Sequence, residues 1–219
     1  HLEARDLVLR ATPLVLAADP DSAEHALRWL QEAMEMDPGD AVAPALAGWC
    51  HAQRVSYFRA TDRAAELSVA RRLVSKALAI DPGCSAAFIA AGGVAMAYHD
   101  GEQAHALTAR ALAIDPRSSW GWERLGWVDC FTDAPAASLG DFARAIRLKP
   151  PGLPLANCSA GIGYAHFKQG QYPEAAMSMR RALALNPRAT WLNRILAPCY
   201  LMLGERVAAE RALRALRES

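Results

Sequence analysis

Five times in this 219-residue chain an apolar, helix-like phrase stops at a proline: EAMEMDP at Pro38, KALAIDP at Pro82, RALAIDP at Pro116, RAIRLKP at Pro150 and RALALNP at Pro187. Successive prolines lie 44, 34, 34 and 37 residues apart, so the underlying period is 34. A fixed period of that length restricts a chain to stacked copies of one supersecondary unit, because one copy cannot bury its own apolar face. Proline closes each phrase because its ring clashes with the turn before it and biases the preceding residue away from helical backbone.

Small residues recur in phase with these stops. Five positions before each proline stand Ala33, Ala77, Ala111, Ala145 and Ala182, and seven positions earlier stand Ala26, Ala70, Ala104, Ser138 and Ala175. Two helical turns separate the members of each set, so they share a face on which a second helix can approach closely. Gly48, Gly92 and Gly126 follow their prolines by ten residues, and Gly163 follows by thirteen. They supply the close-contact position of the next leading helix.

This pattern resembles the tetratricopeptide repeat, with its Trp, Leu-Gly, Tyr, Ala, Phe, Ala and Pro landmarks. The fullest match runs Trp122, Leu125, Gly126, Ser138, Phe142, Ala145, Pro150, departing from the family at Asp129, where tyrosine is usual, and at Ser138, where alanine is usual. The resemblance covers nearly the whole chain. It implies an all-α fold: a right-handed α-solenoid of about six antiparallel helix pairs, forming one domain over 1–219. The units fall at about 7–40, 41–84, 85–118, 119–152, 156–189 and 190–219, the last helix serving as a cap.

The spacing also locates irregularities. Gly92 to Ala104 and Gly126 to Ser138 each span 12 residues, but Gly48 to Ala70 spans 22, so the second unit carries ten additional residues. Its first helix is expected to run through Arg54 and Tyr57, with Thr61 or Asp62 opening the second. Three prolines within Pro150–Pro154 require a non-helical connection. Asp21-Ser22-Ala23-Glu24 reads as a capping box that starts a helix. Pro13 interrupts the pattern from Leu7 to Leu16, which predicts a leading helix that is kinked or starts late. Near the C-terminus, residues 205–217 read as a helix burying Val207, Ala208, Ala212 and Leu216.

Composition removes several function classes. With 24 basic and 23 acidic residues the net charge is +1, too small a field to make nucleic acid or an anionic membrane the main partner. The stretch from Leu7 to Ala18 is too short to span a bilayer and contains Arg10 and Pro13. Five scattered cysteines without a CxxC pair indicate neither a disulfide framework nor a zinc site, and fit a reducing, cytoplasmic setting. Gly161-Ile162-Gly163 lacks the third glycine of a nucleotide loop, and His51, His99, His105 and His166 lack metal-ligand spacing. Cys158-Ser159 opens a helix with no paired base. The reading is therefore no enzyme, with no catalytic residue, cofactor or metal.

What remains is a binding surface. Inward-facing family positions, carried over residue by residue, imply a concave groove with Trp49 from the second unit and Ile89 and Met96 from the third. The fourth unit adds Trp120, Glu123, Trp127, Cys130 and Phe131; the fifth adds Tyr164, Phe167 and Lys168; the sixth adds Trp191, Arg194, Leu201 and Met202. Aromatic rings bury large area at low entropic cost, which suits a peptide or helix from a protein partner or from another domain of the parent chain. The same rings also suit packing between helices. Only Arg194 and Lys168 resemble the family's carboxylate clamp, which disfavours chaperone tails. A first residue of His1 reads as a piece of a longer protein. More loosely, the chain resembles repeat regions of bacterial multidomain signalling proteins with cyclase or winged-helix domains, which offers a regulatory or small-ligand sensor role as the alternative. Exposed apolar surface leaves room for a homodimer.

Overall fold

The computed structural model describes residues 2–17, 19–132 and 134–218. Its helices pair in chain order: α1 (Leu2–Leu16) with α2 (Pro20–Met36), α3 (Val42–Ser56) with α4 (Arg63–Ile80), and α5 (Ser85–Ala97) with α6 (Gly101–Ile114). The order continues with α7 (Ser119–Phe131) and α8 (Pro135–Leu148), α9 (Ala156–Lys168) and α10 (Tyr172–Leu185), then α11 (Asn193–Met202) and α12 (Arg206–Arg217). A 3-10 turn over Thr190–Leu192 leads into α11. Neighbouring pairs stack into a right-handed solenoid.

The small-residue stripe explains this packing. Ala26, Ala33, Ala70, Ala77, Ala104, Ala111, Ser138, Ala145, Ala175 and Ala182 are all completely buried. Across from them the leading helices come very close: a Cβ built on Gly92 would sit 2.4 Å from Thr108 Oγ1 and 3.1 Å from the Ala104 carbonyl oxygen. Any side chain there would push the two helices apart.

The Asp/Asn-Pro stops are side-chain turns. Asp37 Oδ1 accepts from Gly39 N–H at 3.2 Å, Asp81 Oδ1 from Gly83 N–H at 2.8 Å, Asp115 Oδ1 from Arg117 N–H at 3.0 Å, and Asn186 Oδ1 from Arg188 N–H at 3.1 Å. Each closes an Asx turn that the following proline rigidifies. Lys149 breaks the series because it has no acceptor. Its Nζ instead donates to Glu123 Oε2 at 2.6 Å and to the Pro154 carbonyl at 2.9 Å, fastening the non-helical proline-rich connection to α7.

The second unit lengthens as its spacing predicts. Helix α3 has 15 residues and α4 has 18, against 13 and 14 for α5 and α6. Asp62 caps α4 by accepting from Ala65 N–H at 3.0 Å. Between the two helices the N–H groups of Arg59 and Ala60 both return to the Arg54 carbonyl, at 2.7 and 3.0 Å. Phe58 takes φ 60°, a left-handed conformation that glycine supplies in the turns at Gly170 (φ 75°) and Gly204 (φ 76°).

The ends differ from expectation. Helix α1 begins at Leu2 and contains Pro13, so it does not start late. Its adjacent Thr12 hydroxyl donates to the Val8 carbonyl at 2.8 Å. Helix α2 begins before the supposed capping box: Asp19 is the cap, accepting from Ser22 N–H at 3.0 Å and from the Ser22 hydroxyl at 2.9 Å, with Pro20 in the first turn. In α12 the fully buried side is Ala209 and Ala212, while Val207 faces solvent.

Candidate functional site: an aromatic interior closed by the end units

The inner wall is built from the leading helices, and its rings form one connected cluster. Trp127 is the hub, stacked on Phe131 at 6.0 Å between centroids, edge-on to Phe142 at 5.8 Å, and tilted against Tyr164 at 6.0 Å and Trp191 at 6.2 Å. Phe131 meets Tyr164 at 5.0 Å, Tyr164 meets Phe167 at 6.4 Å, and Phe167 continues to Tyr172 at 6.0 Å. Thus α7, α9 and the turn before α11 bring Trp127, Phe131, Tyr164, Phe167 and Trp191 together.

Other residues at inward positions lie deeper. Trp49, Ile89, Trp120, Glu123 and Cys130 are buried, while Met96 is partly exposed and lines a cavity beside Trp127. The Trp49 ring packs on Gly93, where a Cβ would come within 2.4 Å, and carries the Arg124 guanidinium 4.6 Å above it. Cys130 donates its thiol to the Ser138 hydroxyl at 3.3 Å. Lys168 and Arg194 are exposed, as are Leu201 and Met202 at the end of α11.

Two residues outside the family positions shape the site most. The second-unit insertion carries Tyr57 and Phe58 across the interior to the last unit. Tyr57 stacks on Trp191 with centroids 5.0 Å apart, and Arg194 lies 4.2 Å above the Phe58 ring. Asn186 Nδ2 then reaches the first unit, donating to the Ala17 carbonyl at 2.8 Å and lying 3.4 Å from Asp19 Oδ2. The first unit therefore meets the end of the fifth and the second meets the sixth, so the inner face is a closed cleft instead of an open trough. The sequence signal is a pair of aromatics, Tyr57 and Phe58, in the ten-residue excess of the second unit.

The cleft divides at the Tyr57–Trp191 stack. On one side a cavity of about 110 Å³ is lined by Trp49, Tyr57, Met96, Arg124, Trp127 and Phe131 among others. On the other, a more open recess of about 220 Å³ includes Phe58, Arg59, Arg188 and Arg194. Burial pushes the Tyr57 hydroxyl up to about 12, with Arg124 opposing and Glu123 assisting, so it stays a neutral donor.

Behind the wall lies a buried polar cluster. Glu123 accepts from Lys149 Nζ at 2.6 Å, Asn157 Nδ2 at 2.6 Å and Cys158 Sγ at 3.0 Å. Burial alone would raise the Glu123 carboxyl, but Lys149, Arg124 and the Cys158 thiol together hold it below its ordinary value. Burial and the neighbouring Glu123 push the Cys158 thiol up, so it remains a thiol that donates and does not act as a thiolate nucleophile. All five cysteines are buried and free. Among the described residues no helix is long and apolar enough to cross a membrane.

A family model described as tetratricopeptide repeat matches residues 166–219. No curated protein matches the chain. Among solved structures, PilW, a type IV pilus biogenesis factor, is 22% identical, with 77% of this chain and 75% of that one covered and a TM-score of 0.62. TTC0263, a thermophilic repeat protein of Thermus thermophilus, is 14% identical over 90% of this chain and 99% of that one, at a TM-score of 0.63. The pilF protein of Pseudomonas aeruginosa is 21% identical over 98% and 91% of the two chains, at 0.55. These likenesses concern the fold.

Proposed function

We propose, from the premise that this chain is a tetratricopeptide-repeat solenoid, that it is a protein–protein interaction scaffold whose aromatic inner face holds a peptide or helical segment of a partner. The observation that carries this reading is the continuous run Trp127, Phe131, Tyr164 and Phe167, in which Phe131 leaves 51% of its surface in solvent although it stacks on two neighbours. Rigid rings held half-open by one another are preorganised anchors, the feature that concentrates binding energy in a few residues. Lys168 and Arg194, both exposed near this run, supply a basic rim that suits an acidic flank on the partner. The five buried, unpaired cysteines fit work in the cytoplasm.

The test is selection of binding peptides against the intact chain, followed by Phe131→Ala. Because Phe131 is exposed, the variant should keep its melting temperature while losing about 2 kcal/mol of affinity, on the order of 30-fold. Trp127→Ala is a poorer probe, since Trp127 is only 8% exposed and its removal opens the core. Peptides that bind Phe131→Ala as well as the parent would refute an aromatic inner-face site.

A further inference from the structure

The buried charges behind the aromatic wall do not balance. Glu123 and Lys149 expose 2% of their side chains and Arg124 exposes 9%. One carboxylate therefore faces two cations, Lys149 at 2.6 Å and Arg124 at 3.9 Å. Lys149 takes the close contact, which leaves Arg124 with only the 3.9 Å approach to Glu123 and the face of Trp49 at 4.6 Å, one positive charge in excess. A buried guanidinium in that condition is unfavourable unless something else supplies the negative charge.

Arg124 lies at the wall of the 110 Å³ cavity, and that cavity's lining contains no acidic residue. The buried Arg124 Nε has no acceptor. Native interiors rarely leave such groups unpaired. The rest of the lining is largely apolar, with Trp49, Tyr57, Met96, Phe131 and Trp191 around the space.

We propose that this cavity is a binding site for a small apolar monocarboxylate, its carboxylate paired with the Arg124 guanidinium, and its hydrocarbon body held between Trp49, Tyr57 and Trp191. One negative charge matches the one unbalanced positive charge. A phosphate dianion would overshoot it and would shed more hydration on entering an aromatic space. The volume is on the order of that which accommodates a single ring in engineered apolar cavities. Since Tyr57 and Trp191 come from the second and the last helix pairs, the acid ties the two sides of the seam and acts as a small-molecule ligand of the scaffold. The site does not depend on a peptide occupying the inner face.

Calorimetric titration of the intact chain in low-chloride buffer tests this, with phenylacetate as the probe and phenylacetamide as its neutral counterpart. Phenylacetate should bind one to one with Kd on the order of 1 mM or tighter, and phenylacetamide about tenfold more weakly or worse. Arg124→Gln should abolish the preference for the acid, and Arg124→Lys, which keeps the charge, should retain it. If Arg124→Gln fails to fold, the comparison of acid and amide on the parent chain still decides. Equal binding of acid and amide, no binding of either up to about 10 mM, chloride competing as strongly as phenylacetate, or an unchanged preference for the acid in Arg124→Gln would each overturn the proposal.

Discussion

Tyr57 and Trp191 stack at 5.0 Å and 21°, although one ends the second unit's leading helix and the other precedes the last unit's. Repeat proteins are expected to contact only neighbouring units. Here an insertion in one unit supplies the ring that lets distant units touch, so the solenoid gains a long-range contact its repeat pattern does not contain. Tyr57→Ala should cost about 2 kcal/mol in urea unfolding, from lost burial and lost stacking. Hydrogen exchange should rise in Thr190–Leu192 and in the segment 57–62 while α5 stays protected.

Asn186 stands where three other units have aspartate, and the difference has a use. Its Oδ1 accepts from Arg188 N–H as the aspartates do, while its Nδ2 donates to the Ala17 carbonyl. Asn186→Asp should therefore keep the turn and lose the bridge, placing a carboxylate against Asp19 and the Ala17 carbonyl oxygen. An increase in the radius of gyration by small-angle scattering, with unchanged helicity, is the expected result.

Glu123 neutralises Lys149 in a fully buried setting, so removing only the anion strands two cations. Glu123→Gln should cost about 3–5 kcal/mol in denaturant unfolding, more than Lys149→Met, which leaves Glu123 with Arg124, Asn157 and Cys158. The folded Glu123 value lies below its ordinary one, so its stabilisation is present above the ordinary carboxyl range and is lost as pH falls through the folded value. The folded Lys149 value lies above its ordinary one, so its share is complete below the ordinary lysine value and is lost as pH rises through the folded value.

Asp141 behaves in the opposite sense. Burial, together with a hydrogen bond and like charge from Asp129, pushes it up to about 7, with Arg144 opposing. His105 Nε2 approaches the same Asp129 at 4.0 Å from the neighbouring pair. The folded form therefore holds a proton that the unfolded form releases from its ordinary value of 3.8 upward, and stability should decline as pH rises from about 4 to about 7. Asp141→Asn should flatten that slope and be the more stable form at alkaline pH, measured by thermal unfolding across the range.

The stacking was legible wherever one residue type can do the job. The ten small residues of the stripe are all fully buried because only they admit the partner helix, and that requirement writes itself into a 34-residue phase. Asp19 was missed as the α2 cap because Asp21 begins an equally good local signal, and only the backbone path selects between them. At the inner face, the leading-helix rings lie at different depths, which the repeat pattern does not carry. Trp49 and Ile89 are covered because the curvature of this particular stack brings α3, α5 and α7 over them, a quantity that no local pattern carries. The direction taken by Tyr57 and Phe58 was equally hidden, since spacing reports the length of an insertion and not where it points.

Closure of the cleft by its own end units is the claim on which the site rests. Gln31 in the first unit and Arg188 before the last line one surface recess together with His25 and Arg54. Spin labels at Gln31→Cys and Arg188→Cys, with the buried native cysteines left unmodified, report their separation directly by double electron–electron resonance. A single narrow peak at short distance is expected of the closed solenoid. A broad distribution, or one centred at the long distance of an open superhelix, would contradict it.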